Sequence, residues 1–215
     1  MSHIMTPSPE EYEAWYAGTR GAWMSAVEAR ALIDLGKLRD HQTLLDAGCG
    51  TGWFTRRFGA AGCTATGVDR DLEALVFARE ASRTVNYVCG DMHVLPFPDR
   101  CFDAVTAVTS LCFVADERRA LRELARVARR QVLLGLLHRR SLLYLRKRGG
   151  GGYRGARWHT RAAVRTLVRE AGVHYTDLYF YTCLFWPGGP LWGHLFERLP
   201  PLKRYGAFLA VRITL

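Results

Sequence analysis

The sequence predicts an α/β protein built on a doubly wound, mostly parallel sheet with helices on both faces. Three observations predict it. Thr43 to Phe54 (TLLDAGCGTGWF) reads as a buried strand, a glycine loop and a helix start. A second strand-like run, Ala65 to Asp69 (ATGVD), ends on a carboxylate after an intervening helical stretch. Downstream, short apolar runs keep alternating with helical segments, the pattern of β-α-β crossovers and a parallel sheet. The 215 residues, 49% of them hydrophobic, suffice for one full core, so a single domain over 1–215 is expected.

Each element follows from local pattern. Pro9 to Ala17 (PEEYEAWYA) has helical spacing, with Tyr12, Trp15 and Tyr16 on neighbouring faces. Gly18 and Gly21 are expected to break it, and Gly21 to Leu38 resumes as an amphipathic helix through Trp23, Val27, Ala31 and Leu35. Leu44 and Leu45 suit a short strand that turns at Asp46. A helix over Phe54 to Ala61 follows, then the strand ending at Asp69, then a helix to about Ser82 with Asp71 as its N-cap. Val85 to Cys89 is the third strand, Leu95 to Phe102 a proline-punctuated loop, and Asp103 to Val108 the fourth strand. Asp116 opens a helix to Arg130, with Leu121, Leu124 and Val127 on one face and arginines on the other, a solvated side. Gln131 to Leu137 is the fifth strand. Thr160 caps a helix that ends at Gly172, and Asp177 to Trp186 and Gly206 to Thr214 are the last two strands.

Two stretches interrupt this pattern. Residues 139–159 (RRSLLYLRKRGGGGYRGARWH) contain four consecutive glycines, which cannot form a rigid element and read as a mobile lid or exposed loop. Residues 187–206 form an insertion with Pro200-Pro201 and a short helical run, Leu191 to Leu199, bearing Trp192, His194 and Phe196. It is expected to line a substrate pocket, since no sustained basic amphipathic helix is present to hold it on lipid.

The glycine loop implies a bound cofactor, because glycines permit positive φ and let a ligand lie against bare backbone at a helix N-terminus. Its spacing excludes two familiar ligand types. A dinucleotide fingerprint needs a third glycine where Trp53 stands, and a P-loop needs Lys-Ser/Thr after its last glycine, where Gly52 is followed by Trp53. What remains is Asp46 before the loop, Gly48, Gly50 and Gly52 within it, and Asp69 at the end of the next strand, placed to take both hydroxyls of a ribose.

LDAGCGTG (Leu45 to Gly52), GVDRD (Gly67 to Asp71), GDMHVLPFPDRCFDAV (Gly90 to Val105) and LRELARVARRQVLLGLL (Leu121 to Leu137) occur in this order, with YEAWYAGTRGAW a looser match near the N-terminus. In these motifs the chain resembles the class I S-adenosylmethionine-dependent methyltransferases, in the small-domain group that includes the ubiquinone-biosynthesis and type 11 enzymes. The resemblance covers roughly the first two thirds of the chain. It implies a Rossmann-like sheet of seven strands with an antiparallel last strand, S-adenosylmethionine as cofactor and S-adenosylhomocysteine as product. It further implies that helices in 1–38 cap the cofactor, so that Tyr16 and Arg20 touch its methionine end. Gly48, Gly50 and Gly52 would lie beneath the methionine moiety, with Cys49 and Arg70 in the same motifs counted among the cofactor contacts. Asp91 would approach the exocyclic amine of adenine, Met92 pack on the ring, and the Val108 carbonyl meet the cofactor's amine. Val108-Thr109-Ser110-Leu111 is not the Asn/Asp-Pro-Pro-Tyr/Phe edge of amino-base methyltransferases, which counts against adenine or cytosine amines as acceptors.

Methyl transfer from a sulfonium needs alignment more than acid–base help, and a base only for some acceptors. His93, His138, Tyr153 and His159 are the candidates, none distinguished by its spacing, so no catalytic residue is assigned. A thiolate role for Cys112 or Cys183 competes with the ordinary reading of free cysteines as small buried hydrophobes, and no metal is expected. The six cysteines form no C-x-x-C pair and no secretory signal precedes them, so reduced thiols in a cytoplasm are expected. Met1 to Met5 could be a cloning remnant.

The formal charge is +10, and with only Lys37, Lys147 and Lys203 as lysines it is almost all arginine, which coding bias alone would also produce. The first expectation is a small-molecule methyl acceptor, planar or anionic, in a pocket lined by the 139–159 segment and the Tyr179 to Trp192 region, on a monomer or homodimer. An RNA methyltransferase using an arginine-rich lid, and a non-catalytic cofactor-binding protein of the same fold, are the alternatives.

Overall fold

The structure is a computed structural model and describes residues 8–185 and 204–215. The elements run α1 (Pro9–Ala17), α2 (Thr19–Gly36), β1 (Thr43–Ala47), α3 (Trp53–Ala60), β2 (Thr64–Asp69), α4 (Leu72–Ala81), β3 (Asn86–Cys89), β4 (Phe102–Val108), α5 (Glu117–Val127), β5 (Ala128–Leu137), α6 (Leu142–Lys147), α7 (Arg161–Glu170), β6 (Asp177–Cys183) and β7 (Phe208–Thr214), with short 3-10 turns at Ser110–Phe113 and Gly151–Tyr153. The strands form one seven-stranded sheet in the order β3-β2-β1-β4-β5-β7-β6. Only β7 runs against its neighbours, pairing antiparallel with both β5 and β6. The expected Rossmann-like sheet is therefore the observed one.

Successive strand residues point to opposite faces, and the sequence supplies apolar side chains to both. Leu45, Val105 and Leu134 join Leu121, Leu124, Val127, Val164 and Val168 of α5 and α7 on one face. Leu44, Ala104 and Leu133 join Leu32, Phe54, Phe58 and Leu75 of α2, α3 and α4 on the other. The caps at Asp71, Asp116 and Thr160 form as expected, each side chain accepting a backbone N–H of its helix's first turn.

Several boundaries differ from expectation for tertiary reasons. Gly21 does not break a helix. It lies buried inside α2, where a Cβ would stand 2.0 Å from the Trp15 carbonyl oxygen, so glycine here permits the close crossing of α1 and α2. The helix from Asp116 stops at Val127 rather than Arg130, because Ala128 already pairs with Phe102 of β4 and the chain continues as strand. Strand β1 continues through Asp46 to Ala47, and β6 ends at Cys183. Residues 139–159 contain α6 and the Gly151–Tyr153 turn in addition to loop. The expectations for Met1 to Met5, for Trp186, and for 187–203 with Trp192, His194 and Phe196 lie outside the described residues.

Gly21→Ala is expected to lower unfolding stability by about 1–3 kcal/mol, since the clash is with backbone that must move. A urea midpoint unchanged from that of the parent chain would refute the close-packing role.

Candidate active site

The sheet order reverses between β1 and β4, and the loops leaving their carboxyl ends border the crevice where open α/β sheets bind ligands. Gly48, Gly50 and Gly52 have φ of +71°, +53° and +77°, the region that glycine alone enters freely. A Cβ on Gly48 would meet the Ser110 side chain at 2.4 Å, and one on Gly52 the Tyr87 hydroxyl at 2.3 Å. Gly50 is different. Nothing lies within 4 Å of its Cβ position, so bare backbone at the middle of the loop faces open space.

The loop is fixed at its edges. The Gly48 and Cys49 N–H groups donate to the Val68 carbonyl at 2.8 and 3.1 Å, and the Ser110 hydroxyl donates to the Ala47 carbonyl at 2.7 Å. Asp69 stands opposite, its carboxylate accepting the N–H of Gly50 at 2.7 Å and of Asp71 at 3.0 Å. The structure thus brings the second strand's terminal acid and the central glycine into direct contact.

The other predicted residues fall in three groups. Met92 is buried beside the loop, its Cε 3.1 Å from the Cβ position of Gly48, and Tyr16 is buried on α1, stacked on Trp53 at 4.8 Å and 16°. Trp53 occupies the place where a dinucleotide motif has glycine, and the stack with Tyr16 gives it a packing role instead. Arg56 strengthens the same docking, donating to the Thr51 carbonyl at 2.6 Å while gripping both oxygens of Glu13 on α1 at 2.8 and 2.9 Å. Arg70 and Asp91 are exposed on the β2 and β3 loops; Asp91 accepts the backbone N–H of His93 at 2.8 Å, which with the imidazole holds its pKa below the usual carboxylate value. Cys49 is half-buried, and burial raises its thiol pKa.

Asp46 corrects one expectation. It is 1% exposed, and its two oxygens accept hydroxyl hydrogen bonds from Thr55 at 2.7 Å and Thr106 at 3.0 Å, while burial pushes its pKa up to about 6. It braces β1 against α3 and β4 from below the loop and presents no face to the crevice. The Val108 carbonyl accepts the Thr109 hydroxyl at 2.8 Å, and Thr109 itself has φ +56°, an unusual conformation for a branched residue and a site of backbone strain at the strand's end.

Beyond Thr109 a cavity of about 440 Å³ opens, lined among others by Tyr12, Tyr16, Arg20, Glu28, Phe113 and Tyr153. Its aromatic walls come from α1, the Ser110–Phe113 turn, the 139–159 segment and β7. Of the Tyr179 to Trp192 region, the described residues contribute Leu184, while Tyr179 is 52% exposed and borders a different groove; Trp186 to Trp192 lie outside the described residues.

A family profile described as a methyltransferase domain matches residues 45–135, the stretch that carries β1 to β5 and the crevice. A solved S-adenosylmethionine-dependent methyltransferase of Thermotoga maritima, described as a possible histamine N-methyltransferase, superposes with a TM-score of 0.73 at 26% identity, over 95% of this chain and 94% of that one. Residues 45–135 thus carry a methyltransferase domain, set in the fold of the S-adenosylmethionine-dependent enzymes. An uncharacterised protein of Mycobacterium tuberculosis is 34% identical over 168 residues, 75% of this chain and 56% of the relative. A malonyl-[acyl-carrier protein] O-methyltransferase of Erwinia pyrifoliae is 41% identical over 101 residues, 46% of this chain and 38% of that enzyme. The chain therefore spans about half or less of the length of these curated relatives.

The four candidate bases are not equivalent. His93 is held on both sides, Nδ1 against Asp91 at 2.7 Å and Nε2 accepting the Asp116 N–H at 3.3 Å. His138 is buried, with Nδ1 2.8 Å from the Gly206 carbonyl and its pKa lowered by burial. His159 is buried with Nε2 2.8 Å from Glu117. None of the three lines the cavity; Tyr153 does, with burial raising its pKa. Cys112 is buried, its Sγ accepting the Leu137 N–H, and burial pushes its thiol up to about 12, which suits the packing reading.

Sequence reasoning missed Glu28. It sits on the Arg20, Met24, Glu28 stripe of α2, and burial pushes its carboxyl up to about 8. The signal was present in the i, i+4 spacing, but a lone acid on a helix reads as a solvated position until the neighbouring walls are known. No helix among the described residues is long and apolar enough to cross a membrane, and none of their His, Cys, Asp and Glu side chains cluster as metal ligands.

Proposed function

We propose that this domain transfers a methyl group from S-adenosylmethionine to a small-molecule acceptor bound in the cavity beyond Thr109. The observation that carries the reading is Gly50: open space above positive-φ backbone, with the Asp69 carboxylate against it at 2.7 Å. In this reading Asp69 holds the ribose hydroxyls, the glycine loop underlies the methionine portion, and Asp91 and Met92 meet the adenine. Tyr16 and Arg20 close the methionine end from above, and the Val108 carbonyl is an acceptor for the cofactor's amine. The cofactor supplies an activated methyl group on a sulfonium. The chain's part is to exclude water and hold the acceptor in line, which is worth several kcal/mol of barrier.

The two named relatives carry different acceptor chemistries in their descriptions, so the acceptor class is argued from this chain's own cavity. Aromatic walls of Tyr12, Tyr16, Phe113 and Tyr153 fit a planar or compact organic molecule. Three arginines of the 139–159 segment are engaged within the protein: Arg139 and Arg148 lie over the Tyr144 ring, and Arg157 donates to the Val114 and Ala115 carbonyls. A small molecule therefore accounts for the site better than RNA does.

Calorimetric titration with S-adenosylhomocysteine tests the reading. One saturable site per chain is expected, and the absence of binding to folded protein would overturn it.

A further inference from the structure

We infer that Glu28 is the acceptor-binding carboxylate of the cavity, and that the methyl acceptor is a small aliphatic amine that enters as its ammonium ion. The inference rests on the cavity being the acceptor site. Glu28 is half-buried, lines the cavity, and has no hydrogen-bond or ion-pair partner among the described residues. Its electrostatic neighbours are three phenols, Tyr12 and Tyr16 on α1 and Tyr153 on the 139–159 segment. Other charged groups lining the cavity are Glu11, whose carboxylate accepts the Ser8 N–H of the α1 cap, and Arg20 and Lys147, which are exposed.

Glu28 stands half-buried on the cavity wall with no ion-pair partner among the described residues, and burial pushes its carboxyl up to about 8. Three ligand classes would meet it differently. Once ionised, Glu28 would repel an anion and stay unpaired beside a neutral molecule, whereas an ammonium would pair with it while tyrosine faces add cation–π attraction.

The same residue supplies the proton acceptor that amine methylation requires. An ammonium has no lone pair, so its N–H bond must break; the proton forms an O–H bond on the Glu28 carboxylate, and the freed pair forms the N–C bond as the methyl C–S bond breaks with its electrons kept on sulfur. The products are a methylated ammonium and a neutral thioether, and the Glu28 proton passes to water, one proton released per methyl transferred. An acid near 8 is well matched to that exchange at neutral pH.

The sign of the pH dependence follows. Below pH 8 the free cavity holds Glu28 protonated, so ammonium binding must expel that proton, and affinity rises with pH up to about 8 before levelling. Burial keeps the Tyr12, Tyr16 and Tyr153 hydroxyls above their ordinary range, so they do not titrate between pH 6 and 8.

The test titrates the full chain, saturated with S-adenosylhomocysteine, with 2-phenylethylamine, 3-phenylpropan-1-ol and 3-phenylpropanoate. The amine alone should bind well, its Kd falling about tenfold between pH 6 and pH 7 with measurable proton release. Glu28→Gln should weaken amine binding about 30-fold and flatten the pH dependence, while S-adenosylhomocysteine binds as before. Equal binding of the alcohol or the carboxylate, or an unchanged amine affinity in Glu28→Gln, would overturn the inference. If that variant fails to fold, the pH series on the parent chain decides. Bound S-adenosylhomocysteine without amine binding defeats this inference alone; no S-adenosylhomocysteine binding defeats the proposed function as well.

Discussion

Asp69→Ala is expected to weaken S-adenosylhomocysteine binding by about a hundredfold, near 3 kcal/mol, because two hydrogen bonds from ribose hydroxyls to a charged acceptor are lost together. The carboxylate also accepts the Gly50 N–H at 2.7 Å and the Asp71 N–H at 3.0 Å, so alanine would loosen the loop besides removing the ligand contact. Asp69→Asn separates the two effects. Its amide oxygen can still accept from Gly50 though the bond from the Asp71 N–H to the second oxygen is lost, so the urea midpoint should fall less than in Asp69→Ala while affinity falls with the lost charge. A dissociation constant unchanged in both variants would show that the ribose is held elsewhere.

The second large effect is expected at Gly50. Valine there would adopt φ +53° against its strong preference, at a cost of about 1–3 kcal/mol, and would project its side chain into the open space the ligand needs. S-adenosylhomocysteine binding should become undetectable by calorimetry. Gly172→Val is the matched control, since Gly172 also has positive φ, +68°, and open space around its Cβ position, but lies at the end of α7 away from the crevice. It should destabilise to a similar degree and leave affinity unchanged. Retained binding in Gly50→Val would mean that the ligand does not lie over the loop.

The sequence made the loop legible because positive φ selects glycine locally, and the crevice needed three such residues in five positions. Helix starts at Asp71, Asp116 and Thr160 were legible for the same reason: a side-chain acceptor meets N–H groups two or three residues on, with no tertiary help. Where partners distant in sequence decide, local pattern misled. The end of α5 at Val127 is set by the pairing of Ala128 with Phe102 across the sheet, and Gly21 stays helical because Trp15 crosses it. Asp46 looked like a turn residue facing ligand until Thr55 and Thr106 appeared beside it. Glu28 was invisible for the complementary reason. Its meaning lies in what surrounds it, phenols from α1 and from 139–159, and those residues stand far from it along the chain or on another helix.

In the proposed function a methyl-donating nucleoside lies over the Gly48–Gly52 loop with its sugar on Asp69. A crystal structure with S-adenosylhomocysteine tests this most directly. Both ribose hydroxyls are expected within hydrogen-bonding distance of the Asp69 carboxylate, with the sulfur turned toward the cavity that holds Glu28. Ribose placed away from Asp69, or sulfur facing away from that cavity, would contradict it.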